Sequence, residues 1–161
     1  MGIHRLDRSG LTHGEAIAIK QHLVAPGQGP DYDWSQDHIS VKTPVELTDG
    51  RVSVVEDVLK PGFHLPAHRH RSMAEIFYIL DGEVTFAFED ETVIATPGTT
   101  LTVPANTRHE VSCTSGSRLL TIFTPGGFDH YLAELAALTA EELDDADRIR
   151  ELGQRYDIWP E

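Results

Sequence analysis

A single cysteine, Cys113, occurs in the 161 residues. No internal disulfide can form, and no thiolate cluster is available to close a structural zinc site. Basic residues are few: 13 Lys and Arg stand against 26 Asp and Glu, a net charge of −13. No dense basic patch interrupts this acidity, which argues against a nucleic-acid partner, because phosphates require clustered cations. No apolar run approaches the ~20 residues that a membrane-spanning helix needs. Met1 to Gly10 is polar and lacks the apolar middle of a signal peptide. These features predict a cytoplasmic protein with no membrane partner. Internal repeats and low-complexity tracts are also missing.

The composition is otherwise ordinary for a globular protein, with 40% apolar and 24% charged residues. The length suits one domain around one core. Three regions divide it: an irregular arm over 1–45, a β region over 46–125 and a helical tail over 126–161. In the arm, Ala25 to Pro30 reads as a loop, while Ala16 to Ile19 and His38 to Lys42 could each add a short strand. The arm is expected to pack on the barrel or to swap onto a partner.

Strand-like runs recur through the β region with turn signals between them. They cover Arg51–Leu59, Ala74–Leu80, Glu83–Phe88, Thr92–Ala95, Thr100–Val103, His109–Cys113 and Leu119–Thr124. Asp81-Gly82 between two such runs predicts a type I′ hairpin. Many short antiparallel strands at this spacing suggest a sandwich or barrel. In the tail, Tyr131, Leu132, Leu135 and Leu138 recur at helical spacing. Thr139-x-x-Glu142 is a capping box that starts a second helix. That helix carries Leu143, Ala146, Ile149 and Leu152 on one face and ends near Gly153. The acidic run Glu141 to Asp147 is expected to be a solvated helix face.

Nine histidines are present, and spacing separates them. His4, His13, His22, His38 and His130 show no metal spacing with one another. His68 and His70 stand two apart, so on a strand both point to one face. Glu75 follows five residues later, and His109 opens a strand some forty residues on. The flanks complete two blocks: Gly62-x5-His68-x-His70-x4-Glu75-x6-Gly82, and Gly98-x5-Pro104-x-Asn106-x2-His109-x3-Cys113. The pair resembles the two motifs of the cupin superfamily. Asn106 stands where the family usually has glycine, and asparagine tolerates the positive φ of such a turn. Cys113 stands where asparagine is frequent.

The resemblance covers residues 46–125. It implies a mainly β double-stranded β-helix, a jelly-roll barrel, here followed by C-terminal α-helices. It also implies one divalent metal ion held by His68, His70, Glu75 and His109 inside one end of the barrel. The arm and helical tail look most like single-domain bacterial cupins related to quercetin dioxygenase.

Imidazoles with one carboxylate suit Fe, Mn, Ni, Co, Cu or Zn, and Fe(II) is ranked first, with Mn, Ni and Zn behind. Glu75 is expected to double as general base. Phe77, Ile79, Phe86, Phe88, Val111 and Cys113 are candidates to line an apolar cavity above the metal, with His64 as a neighbouring donor. Tyr78 alternates away from Glu75, and Arg69 and Arg108 are expected to reach solvent.

The expected activity is a dioxygenase acting on an enolisable or aromatic, oxygen-rich small molecule. Cyclisation, isomerisation or lyase chemistry with a redox-silent ion is the alternative, and a non-catalytic small-molecule-binding cupin is another. A homodimer is expected, because exposed sheet faces commonly pair.

Overall fold

The computed structural model describes residues 22–161. The possible strand at Ala16–Ile19, and with it His4 and His13, lies outside the described residues. Two antiparallel sheets face each other. The larger contains β1 (Asp31–Asp33), β2 (Asp37–Thr43), β3 (Ser53–Leu59), β5 (Ala74–Gly82), β8 (Thr100–Val103) and β10 (Ser117–Thr124), in the order β1-β2-β3-β10-β5-β8. The smaller contains β4 (His64–Arg69), β6 (Val84–Ala87), β7 (Thr92–Ala95), β9 (His109–Ser112) and β11 (Trp159–Pro160), in the order β11-β4-β9-β6-β7. Three helices lie between β10 and β11: α1 (Phe128–Ala136), α2 (Ala140–Leu143) and α3 (Ala146–Arg155). A 3-10 turn, Val45–Thr48, separates β2 from β3.

Period-two patterning explains which faces meet. On β10, Ser117, Leu119, Thr121 and Phe123 are buried while the residues between them are not. On β5, Glu75, Phe77 and Ile79 point inward, and Tyr78 is 40% exposed. The inward residues of both sheets form one closed cluster, which includes Leu59, Phe77, Ile79, Val84, Phe86, Val111, Cys113 and Leu119. A second cluster joins Ile39, Val41, Val55, Met73, Phe123 and Leu132, so α1 seals the flank of the larger sheet.

The short strand expected at His38–Lys42 forms within β2, and the expected loop over Ala25–Pro30 has no regular structure; three other local expectations are corrected. Asp37–Thr43 pairs antiparallel with β3 of the same chain, and β1 pairs with β2. The pattern of Ile39 and Val41 inward allows this, because both join the second cluster.

Asp81-Gly82 does not make a type I′ hairpin. Gly82 has φ 75°, but Asp81 continues β5 and pairs with Arg118. β5 and β6 belong to different sheets, so the chain turns a corner here rather than folding back on itself. A side chain on Gly82 would collide with the Gly116 carbonyl, 2.5 Å from the Cβ position.

The tail's second helix is two. The Thr139 capping box closes on Glu142 as expected, but Asp145 accepts from the Asp147 and Arg148 amides and starts α3 afresh. Of the four apolar positions on that helix, Leu152 is buried and Leu143 is exposed. Gly153 does not end α3, which runs on to Arg155. Buried Gly153 instead packs close to Ile158, and its carbonyl accepts from the Tyr156 and Ile158 amides.

Phe86 is the largest side chain with no solvent exposure. Phe86→Ala is expected to lower unfolding stability by about 3–5 kcal/mol through lost burial and a residual cavity. Ile94→Ala, at a 63% exposed position, should change stability by less than about 0.5 kcal/mol. Urea denaturation of both variants checks this, and equal midpoints would contradict the assignment of Phe86 to the core.

Candidate metal centre

The four residues expected to act together do converge in space. His68 is on β4, His70 immediately follows that strand, Glu75 is on β5 and His109 opens β9. The site therefore draws on both sheets. His68 and His109 face each other across the β4–β9 ladder. All four side chains are buried, with exposures of 5%, 3%, 5% and 0% in sequence order. One potential ligand atom from each lies within 4.8 Å of the other three. An ion with bonds of about 2.1 Å would place its ligand atoms roughly 3–4 Å apart, so the cluster matches in scale.

Each imidazole is oriented by its other nitrogen. His68 Nδ1 lies 2.9 Å from the Pro66 carbonyl, His70 Nδ1 2.9 Å from the Asp157 carbonyl, and His109 Nδ1 3.1 Å from the Thr107 carbonyl. A carbonyl can only accept, so each Nδ1 carries the proton and donates. In the neutral ring this leaves the Nε2 lone pair free, and ligating histidines are held by outer hydrogen bonds of this kind.

His70 Nε2 and His109 Nε2 lie 3.2 and 2.8 Å from Glu75 Oε2. These three atoms are buried and have no hydrogen-bond partner among the described residues. Lone pairs confronting a carboxylate oxygen at this range repel unless a positive charge sits among them. A bound cation, or an extra proton on an imidazole, supplies that charge. The donor set is thus chemically suited to a divalent ion.

The electrostatics follow from the same contacts. Burial alone would raise the Glu75 carboxyl, but the His109 and His70 nitrogens beside it, which favour the anion whenever they carry a proton, outweigh burial and bring the value down to about 2. Burial pushes His68 down to about 4, aided by the neighbouring His109. For His70, burial pulls downward but Glu75 prevails, so the value is raised. His68 is accordingly neutral at physiological pH, and Glu75 is anionic.

The C-terminal segment fixes the turn that carries His70, a role not read from the sequence. Asp157, at φ 66°, gives its carbonyl to His70 and its carboxylate to the turn that follows. Oδ1 accepts from the Arg71 amide at 2.9 Å, and Oδ2 accepts from the Ser72 and Met73 amides, both at 2.8 Å. The Ser72 hydroxyl donates to Oδ2 at 2.8 Å as well. The Arg71 guanidinium stacks over Trp159 at 3.3 Å. Arg69 pairs with Glu161, and Asn106, with φ 64°, donates its amide to the His70 carbonyl at 2.5 Å. Asn106 thus makes the positive-φ turn expected of it.

A cavity of about 390 Å³ opens beside Glu75. Of the residues expected to line it, His64, Phe77 and Val111 do so. His64 is half-exposed and its Nε2 meets Glu110 at 3.0 Å. Ile79, Phe86 and Cys113 lie instead in the closed core cluster, and Phe88 packs against that cluster's edge. The barrel interior is already filled at their level, so the open space is displaced toward β2, β3 and α1. Trp34, Asp37, Asp57, Tyr131 and Leu132 supply walls that were not foreseen.

The Asp157 carboxylate is a test of how the His70 turn is held. Burial would raise its value, but the Ser72, Met73 and Arg71 donors hold it at about 2, against an ordinary 3.8. A depressed folded value means that its stabilising contribution is complete above about pH 4 and is lost as pH falls toward about 2. Asp157→Ala is expected to lower amide-exchange protection at residues 71–73 by about tenfold or more. Acidification of the wild type from about pH 4 to about 2 should reproduce that loss. Unchanged protection in the variant would contradict the clamp.

Comparison with known proteins agrees with the architecture. Residues 55–124 match the model of the Cupin domain family. Quercetin 2,3-dioxygenase of Bacillus subtilis (strain 168) is 32% identical over 89 residues, 55% of this chain and 26% of that enzyme. The chain therefore matches about a quarter of that relative's length. Among solved structures, KdgF from Halomonas sp. superposes with a TM-score of 0.61 at 17% identity, covering 69% of this chain and 99% of that one. The polyketide cyclase RemF from Streptomyces resistomycificus gives a TM-score of 0.59 at 16% identity, covering 66% and 81%. At such identity these two likenesses concern the fold alone. With both motifs in place on two facing antiparallel sheets, the domain match spanning β3 to β10 makes residues 55–124 a cupin domain, and the chain resembles quercetinase-like members of the cupin superfamily.

Proposed function

We propose that the protein is a metal-dependent enzyme that oxidises an enolisable or aromatic, oxygen-rich small molecule with O2, in the manner of a dioxygenase. The observation that carries this reading is the convergence of three orphaned or lone-pair-bearing imidazole nitrogens and one carboxylate beside an apolar cavity. Among the curated relatives, the partial likeness to a quercetin dioxygenase points the same way. A divalent ion at this position, with Fe(II) first and Mn, Ni or Zn behind, supplies Lewis acidity and, when redox-active, electrons for O2 chemistry.

The chain's own residues divide the remaining work. His68, His70 and His109 present neutral Nε2 donors, each pinned through Nδ1 by a backbone carbonyl. Glu75 brings the one negative charge, so a divalent ion keeps about one positive charge for an anionic oxygen of the substrate. Glu75 is also placed to accept a proton from a substrate hydroxyl at its carboxylate oxygen. Phe77, Val111, Leu119 and Phe123 surround the space beside it with apolar surface, which excludes water and strengthens these charge interactions. The enzyme is proposed to work as a cytoplasmic homodimer, and light scattering should give twice the chain mass of 17.8 kDa; the single-chain mass would refute the dimer.

Elemental analysis of untagged protein is expected to find about one divalent ion per chain. Metal below about 0.1 per chain, with no rebinding of added Fe, Mn, Ni or Zn, would overturn the reading. Glu75→Gln is expected to weaken metal retention about 10–100-fold and to abolish oxygen uptake with flavonols. Undiminished uptake in that variant would remove the carboxylate from the proposed chemistry.

A further inference from the structure

The cavity beside Glu75 contains a second acidic group that the proposed chemistry leaves unused. Asp57 lies on β3 between Val55 and Leu59, both buried, and shares their inward face. Its carboxyl belongs to the cavity wall, together with Val55, Leu59, Leu119 and Tyr131. Asp57 Oδ1 is shielded from solvent and has no hydrogen-bond partner among the described residues. A buried oxygen left unpaired costs roughly 1–3 kcal/mol, so an apolar residue would serve the fold better at this position. Polar groups retained at such a cost inside an apolar pocket are those that orient ligands.

The environment of the carboxyl favours its protonated form. Burial pushes it well above the ordinary carboxylate range, and the neighbouring Asp37 carboxylate pushes in the same direction. A neutral carboxylic acid both donates and accepts one hydrogen bond. It suits a hydroxyl or carbonyl group on the ligand, and the neighbouring Asp37 carboxylate disfavours an anion there.

Strand register places this group far from the metal-type cluster. Glu75 pairs through Phe123 with Ser53, whereas Asp57 pairs with Leu119. Asp57 therefore lies four positions farther along β3 than the row containing Glu75. That is about 13 Å along the strands, and the two strand spacings between β3 and β5 add about 10 Å across. Glu75 and Asp57 thus mark two poles of a cavity whose wall is mostly apolar, with Thr121 between them and Asp37 near the second.

We propose that Asp57 is the anchor at the far pole, hydrogen-bonding a hydroxyl or carbonyl on the distal ring of an elongated, uncharged aromatic ligand whose near end meets the His68, His70, Glu75 and His109 cluster. The near-end part of this assignment rests on the metal-centre reading above; the Asp57 part rests on the cavity.

The probes are quercetin and 3-hydroxyflavone, which share the chelating hydroxy-ketone edge but differ in their remaining hydroxyls. Calorimetric titration is performed on metal-free and Zn-loaded wild type, Asp57→Asn and Asp57→Leu. The wild type is expected to prefer quercetin by about tenfold, the scale of one well-placed hydrogen bond. Asp57→Asn, which keeps a donor and an acceptor, should retain that preference. Asp57→Leu should lose it while keeping metal content, 3-hydroxyflavone affinity and a thermal midpoint at or above that of wild type.

Equal affinity for the two probes in wild type, failure of both to bind, or undiminished preference in Asp57→Leu would overturn the anchor. So would a lowered midpoint in Asp57→Leu with equal losses for both probes, since that marks a structural role. Failure of the metal reading is separable. If no metal binds but metal-free protein still prefers quercetin through Asp57, the anchor stands and the metal centre falls.

Discussion

Three imidazoles and a carboxylate are brought into a buried space where their unshared electron pairs face each other. Glu75 Oε2 lies 2.8 Å from one Nε2 and 3.2 Å from another, and the Nδ1 protons of both rings are already committed to backbone carbonyls. A hydrophobic core has no reason to assemble such a group, because each unpaired buried atom is destabilising. The surrounding structure must overcome that cost. It does so with two sheets that supply the four side chains from opposite sides, and with an apolar cluster whose largest members have almost no exposure. The same low-dielectric setting that makes the cluster costly makes a cation there strongly held.

The outer contacts are as specific as the cluster itself. Pro66 and Thr107 hold their histidines from two residues upstream, so those orientations are local properties of β4 and the turn before β9. His70 differs: its orienting carbonyl comes from Asp157, eighty-seven residues later. The carboxylate of the same residue gathers the amides of Arg71, Ser72 and Met73. The helical tail therefore does more than cover the barrel. It returns the chain as β11 to pair with β4, and so delivers Asp157 to the ligand-bearing turn.

The cavity has a similar division of labour. Its apolar walls come from β3, β5, β9, β10 and α1, and its polar lining includes Glu75, His64, Thr121, Asp37 and Asp57. Glu75 marks one end and Asp57 the other. The imidazoles beside Glu75 lower its carboxyl, whereas burial and the like charge of Asp37 raise that of Asp57. Two carboxyl groups in one pocket are thus pushed in opposite directions.

Much of this was legible in the sequence because it is periodic or motif-bound. Thr92–Ala95 and Thr100–Val103 are strands with the expected limits, since β-branched runs between turn residues leave little choice. Residue spacing placed His68, His70, Glu75 and His109 together as candidates. The inward position of Asp57 was also there to be read, as an acid between Val55 and Leu59 at period two.

Tertiary structure decided the rest. Whether Asp81-Gly82 folds back or turns a corner depends on which sheet receives β6. Whether Ile79, Phe86 and Cys113 bound open space or solid core depends on how two sheets fill the volume between them. Asp157 could not be paired with His70 by any local pattern, because that contact exists only once α1, α2 and α3 have carried the chain back to β4. Short-range sterics and hydrophobic alternation act along the chain and are written in it. Packing, cavity position and long-range hydrogen bonds depend on the simultaneous placement of distant segments, and only the folded molecule determines them.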